Sequence, residues 1–248
     1  MRILLTNDDG IHAPGLEVLE RIARTFSDDV WIVAPAEEQS GAGHSLTLGS
    51  PVRLRQYSER RFAVSGTPTD SVMMALRTVM PERPDLILSG INRGANLGDD
   101  VTYSGTVSAA IEGALAGIRS IALSQVYAKE GMGDAVPFAA AEQWGAKAIA
   151  PLLGVPFAPR TLVNINFPAI PADQVQGIRL KFADLFEAPR TAWTLAQTLG
   201  EGDYYARDWT RTHGNLYQAI RMEKAMIGLL LLLIVAVAAF NIISTLVM

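Results

Sequence analysis

Asn7-Asp8-Asp9-Gly10 sets two adjacent carboxylates directly after an apolar run, Ile3–Thr6, with a glycine behind them that permits a tight turn. Carboxylates gathered at the carboxyl end of a strand make a hard-oxygen site suited to one divalent cation, Mg2+ or Mn2+. For this motif alone, an Asx-type turn with solvated acids is an equal alternative. Two further apolar runs end in loops rich in oxygen donors. Val30–Ala34 leads into 35–45, a polar loop carrying Ser40 and His44, and Leu86–Ser89 leads into a loop carrying Asn92 and Asn96. A serine hydroxyl and an asparagine carbonyl are the neutral donors that would complete a carboxylate shell. Three such loops converging on one crevice form a more specific signal than any one of them.

A fourth stretch, Tyr103-Ser104-Gly105-Thr106, opens a helix-like segment. Ser and Thr at a helix start cap free N–H groups, and those same groups bind phosphate. Capping alone accounts for an isolated Ser-Gly-Thr; beside a metal site, phosphate binding is the better reading. His44 is a further candidate, as general acid, phosphate ligand or plain loop residue. Gly66-Thr67-Pro68-Thr69-Asp70 reads either as a capped helix start or as pocket lining. No Gly-x-Gly-x-x-Gly follows the first apolar run and no Walker lysine motif is present, which disfavours dinucleotide binding and P-loop hydrolysis.

The elements that must position these residues follow from the pattern. Runs 3–6, 30–34, 86–89, 118–124 and 162–167 read as strands, several apolar on both faces. Segments 15–26, 69–80, 106–116 and 138–153 read as helices. Strands buried on both faces and separated by helices indicate an α/β fold, a doubly wound and mostly parallel sheet. Ligands in such sheets lie at the carboxyl ends of the strands, where all four stretches fall.

The chain of 248 residues has 21 basic against 25 acidic residues, net −4, so no global basic field points to nucleic acid. It lacks cysteine, which excludes disulfides, thiolate metal sites and a thiol nucleophile. The strand–helix alternation fades after Pro171. Residues 225–248 carry no charged side chain, and a run of that length is expected to form a membrane-spanning helix. Arg221 and Lys224 before it weakly favour a cytoplasmic flank. The expected division is 1–177, then 178–224, then 225–248.

The stretches MRILLTNDDGIHAPG, VAPAEEQSGAGHSLT, SGTPTDSV, PDLILSGINRGANLGDDVTYSGTVSAAIEGALAG and LVNINFP closely resemble the SurE family of survival-protein nucleotidases over residues 1 to about 177. The resemblance implies a Rossmann-like 5′/3′-nucleotidase that needs one divalent metal ion, acts on nucleoside monophosphates in the cytoplasm and forms homo-oligomers. By motif position it implies metal ligands at Asp8, Asp9, Ser40 and Asn92, a phosphate site of Asn96, Ser104, Gly105 and Thr106, and Asp8, Asp9 and Asn96 as catalytic residues. The rest resembles a different family. YYARDWTRTHGNLYQAIRMEKAMIGLLLLLIVAVAAFNIISTLVM is similar to the LolC/LolE lipoprotein-releasing permeases, where a periplasmic domain enters a transmembrane helix. The resemblances together imply a fusion: a tail-anchored nucleotidase or, alternatively, an inactive or membrane-anchored protein whose tail derives from a permease.

Overall fold

The computed structural model describes residues 1–126, 138–170, 172–175 and 179–182. Eight strands form one sheet in the order β3-β4-β2-β1-β5-β6-β7-β8. They span β1 (Ile3–Thr6), β2 (Val30–Pro35), β3 (Leu54–Ser58), β4 (Arg61–Val64), β5 (Leu86–Arg93), β6 (Arg119–Gln125), β7 (Val163–Phe167) and β8 (Arg179–Phe182). β1, β2, β4, β5, β6 and β7 run parallel, and β3 and β8 close the two edges antiparallel. Among the described residues the α-helices are α1 (Pro14–Ala23), α2 (Pro68–Met74), α3 (Gly105–Leu115) and α4 (Ala139–Leu153).

The central strands are apolar on both sides because both faces are covered. Ile3 and Leu5 of β1, with Leu86 and Leu88 of β5, pack under Leu16, Leu19 and Ile22 of α1 and Ile149 and Leu152 of α4. Leu4 and Ile87 point the other way, with Val72 of α2 and Ala109 of α3. Burying each such side chain contributes about 1.5–3 kcal/mol. The doubly wound, mostly parallel sheet expected from the pattern is therefore present.

Winding starts at β1, moves outward through β2 and β4, then returns to the other flank of β1 with β5. The sheet order reverses between β1 and β5, and chain ends that diverge there leave a crevice at their carboxyl ends. Thr6, the last residue of β1, pairs with Ser89, and β5 runs on to Arg93 past the turn that follows β1.

Three differences from the expected elements have local causes. The β3–β4 hairpin was not anticipated because every residue of β3 is exposed, so Leu54–Ser58 shows no alternation of buried and solvated positions. The helix expected over 69–80 is α-helical only to Met74 and continues as a wider π turn over Ala75–Val79, closed by the Met80 N–H on the Ala75 carbonyl. β8 adds to the sheet beyond residue 177 by pairing Arg179–Phe182 with β7. Among the described residues no helix is long and apolar enough to cross a membrane. The helix expected over 225–248 lies outside the described residues.

Candidate active site

The turn after β1 is built by its own side chains. The Asn7 amide donates to the Gly10 carbonyl at 2.8 Å, and Gly10 has φ +99, a conformation with little cost only for glycine. This turn throws Asp8 inward and Asp9 toward the crevice mouth. Asp8 is 5% exposed, and Asp9 is half-buried.

Helix α3 arrives from the far side of the switch point with its N-terminus against Asp8. Ser104 caps it by accepting from the Val107 N–H at 3.1 Å. The Thr106 hydroxyl donates to Asp8 Oδ1 at 2.5 Å. A Cβ on Gly105 would lie 2.7 Å from the Asp8 Cβ and 3.0 Å from the Pro68 ring, so only glycine lets the helix end come this close. Ser104, Gly105 and Thr106 thus present a helix N-terminus, with its unpaired N–H groups and positive dipole end, beside two carboxylates.

The other two loops reach the same turn. The Gln39 N–H, one residue before Ser40, donates to the Asp8 carbonyl at 2.7 Å. The Arg93 N–H, one residue after Asn92, donates to Asp9 Oδ2 at 3.2 Å. The Ser40 hydroxyl donates to Glu38 Oε1 at 2.7 Å, and the Asn92 amide nitrogen donates to the Gly94 carbonyl at 3.0 Å. Asn96 is buried and held on several sides: its amide donates to Ser124 Oγ, its N–H donates to Asn166 Oδ1, and Asn164 and Asn166 donate to its carbonyl.

Burial pushes the Asp8 carboxyl up to about 6, although the Thr106 hydroxyl pulls it down; the neighbouring Asp9 charge adds to the rise. Burial raises Asp9 as well, opposed by the Arg93 N–H and assisted by Glu38. Among the described residues neither carboxylate forms an ion pair. Two raised carboxylates in no ion pair among the described residues, with the Arg93 charge acting on Asp9 from further off, are the electrostatic setting in which a divalent ion is welcome. Among the described residues the buried Asn7 Oδ1 on the same turn finds no hydrogen-bond donor, a further hard oxygen at this end of β1. No three His, Cys, Asp or Glu side chains gather among the described residues, so the shell of a cation at Asp8 and Asp9 would be completed by neutral oxygens.

His44 is placed differently. Its Nε2 lies 3.1 Å from Glu112 Oε2. Glu112 is six residues past Thr106 on α3, roughly 9 Å further along the helix axis at 1.5 Å per residue. That contact ties His44 to the flank of α3 rather than to its N-terminus.

A model of the family described as survival protein SurE matches residues 3–187. The chain belongs to the SurE family. A 5′-nucleotidase SurE of Erythrobacter litoralis is 69% identical over 180 residues, 72% of this chain and 71% of that protein. One of Rhizorhabdus wittichii is 65% identical over 216 residues, 86% of this chain and 84% of the relative. That share is larger than residues 1–177 make up. The crystal structure of SurE from Aquifex aeolicus superposes with a TM-score of 0.66 at 37% identity, covering 72% of this chain and 71% of that one. The Rossmann-like SurE fold is thereby shown.

Several residues that build this SurE-type crevice were not singled out beforehand. Ser124, Asn164 and Asn166 immobilise Asn96, and the signal for them was two asparagines in an otherwise apolar strand. Thr47 ties the Ser40 loop to Asp70 of the 66–70 stretch, which the chain offers as a capped helix start or as pocket lining and which the structure makes a helix cap.

Proposed function

We propose that this chain hydrolyses nucleoside monophosphates to nucleoside and phosphate, as a phosphomonoesterase of the 5′/3′-nucleotidase type using one divalent ion, Mg2+ or Mn2+. The observation that carries the reading is the junction of Asp8 with the N-terminus of α3, where Thr106 bonds the carboxylate and Gly105 touches it. It joins a cation-binding turn to a phosphate-binding helix end, the two parts a metal-assisted phosphatase needs. The relatives named 5′-nucleotidase support the substrate class.

Asp8, Asp9, Ser40 and Asn92 would hold the ion. When bound, it supplies positive charge against the phosphate oxygens and lowers the cost of activating water. The chain's own groups do the rest. The N–H groups at the start of α3 and the Ser104 and Thr106 side chains receive the phosphate. Asn96, fixed by its asparagine neighbours, stabilises charge on an equatorial oxygen without reorganising. Asp8 and Asp9 orient the attacking water in line with the leaving oxygen, so the bond from phosphorus to the nucleoside oxygen breaks as the new bond to water forms.

Phosphate release from AMP, assayed with Mn2+ and with a chelator, tests the activity. Turnover that persists in Asp8→Asn would remove the assignment, and a trapped phospho-aspartate would overturn attack by water. The same reading has the protein working as a homo-oligomer, which its mass in solution would check.

The tail carries its own proposal. Residues 178–248 are read as a fragment similar to LolC/LolE permeases, with 225–248 as a membrane anchor and the nucleotidase portion on the cytoplasmic side. Carbonate-resistant membrane association, with residues 1–177 shielded from external protease, is the expected result; a product recovered wholly without detergent sinks it.

A further inference from the structure

The loop from Ala36 to Ser50 contributes no side chain to the buried core. Its leucines, Leu46 and Leu48, are 46% and 90% exposed. Apolar packing does not hold it, so its shape depends on polar anchors. Gln39 is tied to Asp8, Gly43 to the Tyr103 carbonyl and His44 to Glu112. The far end of the loop is tied to the start of α2, where the anchors are Thr67 on Ser45 and Asp70 on Thr47.

Asp70 is 6% exposed and belongs to the capping box of α2: the Thr67 N–H donates to its Oδ2 at 2.8 Å, while its own N–H donates to Thr67 Oγ1 at 3.1 Å. A helix cap requires no more than this. Asp70 also accepts from the Thr47 hydroxyl at 2.6 Å and from the Thr47 N–H at 3.2 Å. The Thr67 hydroxyl has one proton, and its shorter contact is to the Ser45 carbonyl at 2.7 Å rather than to Asp70 at 3.1 Å. The cap thus grips Ser45 and Thr47 with both of its side chains. Burial alone would push the Asp70 carboxyl up, yet the bonds from Thr47 and Thr67 hold it below the usual carboxylate range.

We propose that Asp70 is a positioning residue for the cation site, clamping the Ser45–Thr47 end of the loop so that Ser40 is held beside the Asp8–Asp9 turn. The inference rests on the reading of Ser40, Asp8 and Asp9 as metal ligands. Asp70 Oδ2 accepts from the Thr67 N–H, the Thr47 hydroxyl and the Thr47 N–H, and Oδ1 shares that Thr47 N–H at 3.3 Å, so both oxygens face donors and the Oδ1 side faces the Thr47 N–H alone. Asparagine keeps the size but turns an NH2 group toward one of those donors. Loss of an outer partner that orients a metal ligand typically weakens metal binding by about 10–100-fold.

The test is Mn2+ affinity of the full chain by titration calorimetry, without substrate, together with the melting temperature of each variant. Asp70→Asn is expected to weaken Mn2+ binding by about 10-fold or more at temperatures well below its melting point. Thr47→Val keeps the α2 cap and removes only the loop-side hydroxyl. It should weaken binding in the same direction and add little in the Asp70→Asn background, and it carries the test if Asp70→Asn does not fold. A lower melting temperature with unchanged Mn2+ affinity in both variants would mark Asp70 as purely structural and overturn the proposal. Asp8→Asn separates the two readings: if it still binds Mn2+ as wild type does, the metal site itself is misplaced. If it loses Mn2+ while both loop variants bind normally, only the role of Asp70 fails.

Discussion

Thr106 and Asp8 are 98 residues apart in the chain, and the threonine hydroxyl donates to the aspartate at 2.5 Å. This bond joins the first strand's turn to the first turn of α3 and opposes the burial that raises the Asp8 carboxyl. Four predictions rest on the surroundings of this pair.

Asp8 should be indispensable for turnover and costly for stability. The folded protein holds its proton more tightly than the unfolded chain, because burial raises the carboxyl from 3.8 to about 6. The stability linked to this group is therefore full below about pH 3.8 and lost as pH rises through 6. A shift of that size corresponds to roughly 3 kcal/mol as an upper bound. Asp8→Asn removes the buried charge and keeps an oxygen for Thr106. The metal-free variant should melt above wild type at pH 7.5, with the gap closing by pH 4, while phosphate release falls by more than about 100-fold. Calorimetric melting across pH, beside an AMP assay, checks both halves.

Thr106→Val removes the hydrogen bond that lowers the Asp8 carboxyl. Its value should climb further above 6, so protons compete with the cation up to a higher pH. Mn2+ binding followed against pH should show its midpoint displaced upward relative to wild type. An unmoved midpoint would mean that the hydroxyl does not tune the acid.

Gly105→Ala places a methyl group 2.7 Å from the Asp8 Cβ, so the helix end must retreat from the turn. Overpacking of this kind costs about 1–3 kcal/mol. Losing the aligned N–H groups should lower kcat by about 100- to 1000-fold, as for other preorganised anion donors. Melting temperature and kcat for AMP, measured on the same preparation, test the two effects together.

His44→Ala should be mild. A general acid is worth about 100- to 10,000-fold, whereas a loop anchor bonded to Glu112 on the flank of α3 should cost less than about 10-fold in kcat. A loss of three orders of magnitude with AMP would restore His44 to the chemistry.

The sheet's centre was legible because β1, β5 and β6 are buried on both faces and each holds a short apolar run, residues 3–5, 86–88 and 121–123. The edges were not: Leu54–Ser58 of β3 is exposed throughout, and its place is set by antiparallel pairing to β4 rather than by any periodicity of its own. Helix α2 was placed correctly but overextended, since the apolar spacing over 75–79 suits a π turn as well as an α-helix.

The site divides in the same way. Residue types and local order were enough to locate the Asp8-Asp9 turn, the oxygen-bearing loops after β2 and β5, and the Ser104-Gly105-Thr106 helix start, because each is a contiguous motif at a strand or helix end. What the sequence could not contain is the contact between them. Only the reversal of strand order between β1 and β5 brings Thr106 onto Asp8, Arg93 onto Asp9 and Gln39 onto the Asp8 carbonyl. That tertiary arrangement buries Asp8, raises its carboxyl and gives Asp70, read from the chain as part of a capped helix start or of a pocket lining, its grip on Thr47. Motifs are local and can be read in order; burial and charge arise from neighbours that the chain brings together only when it folds.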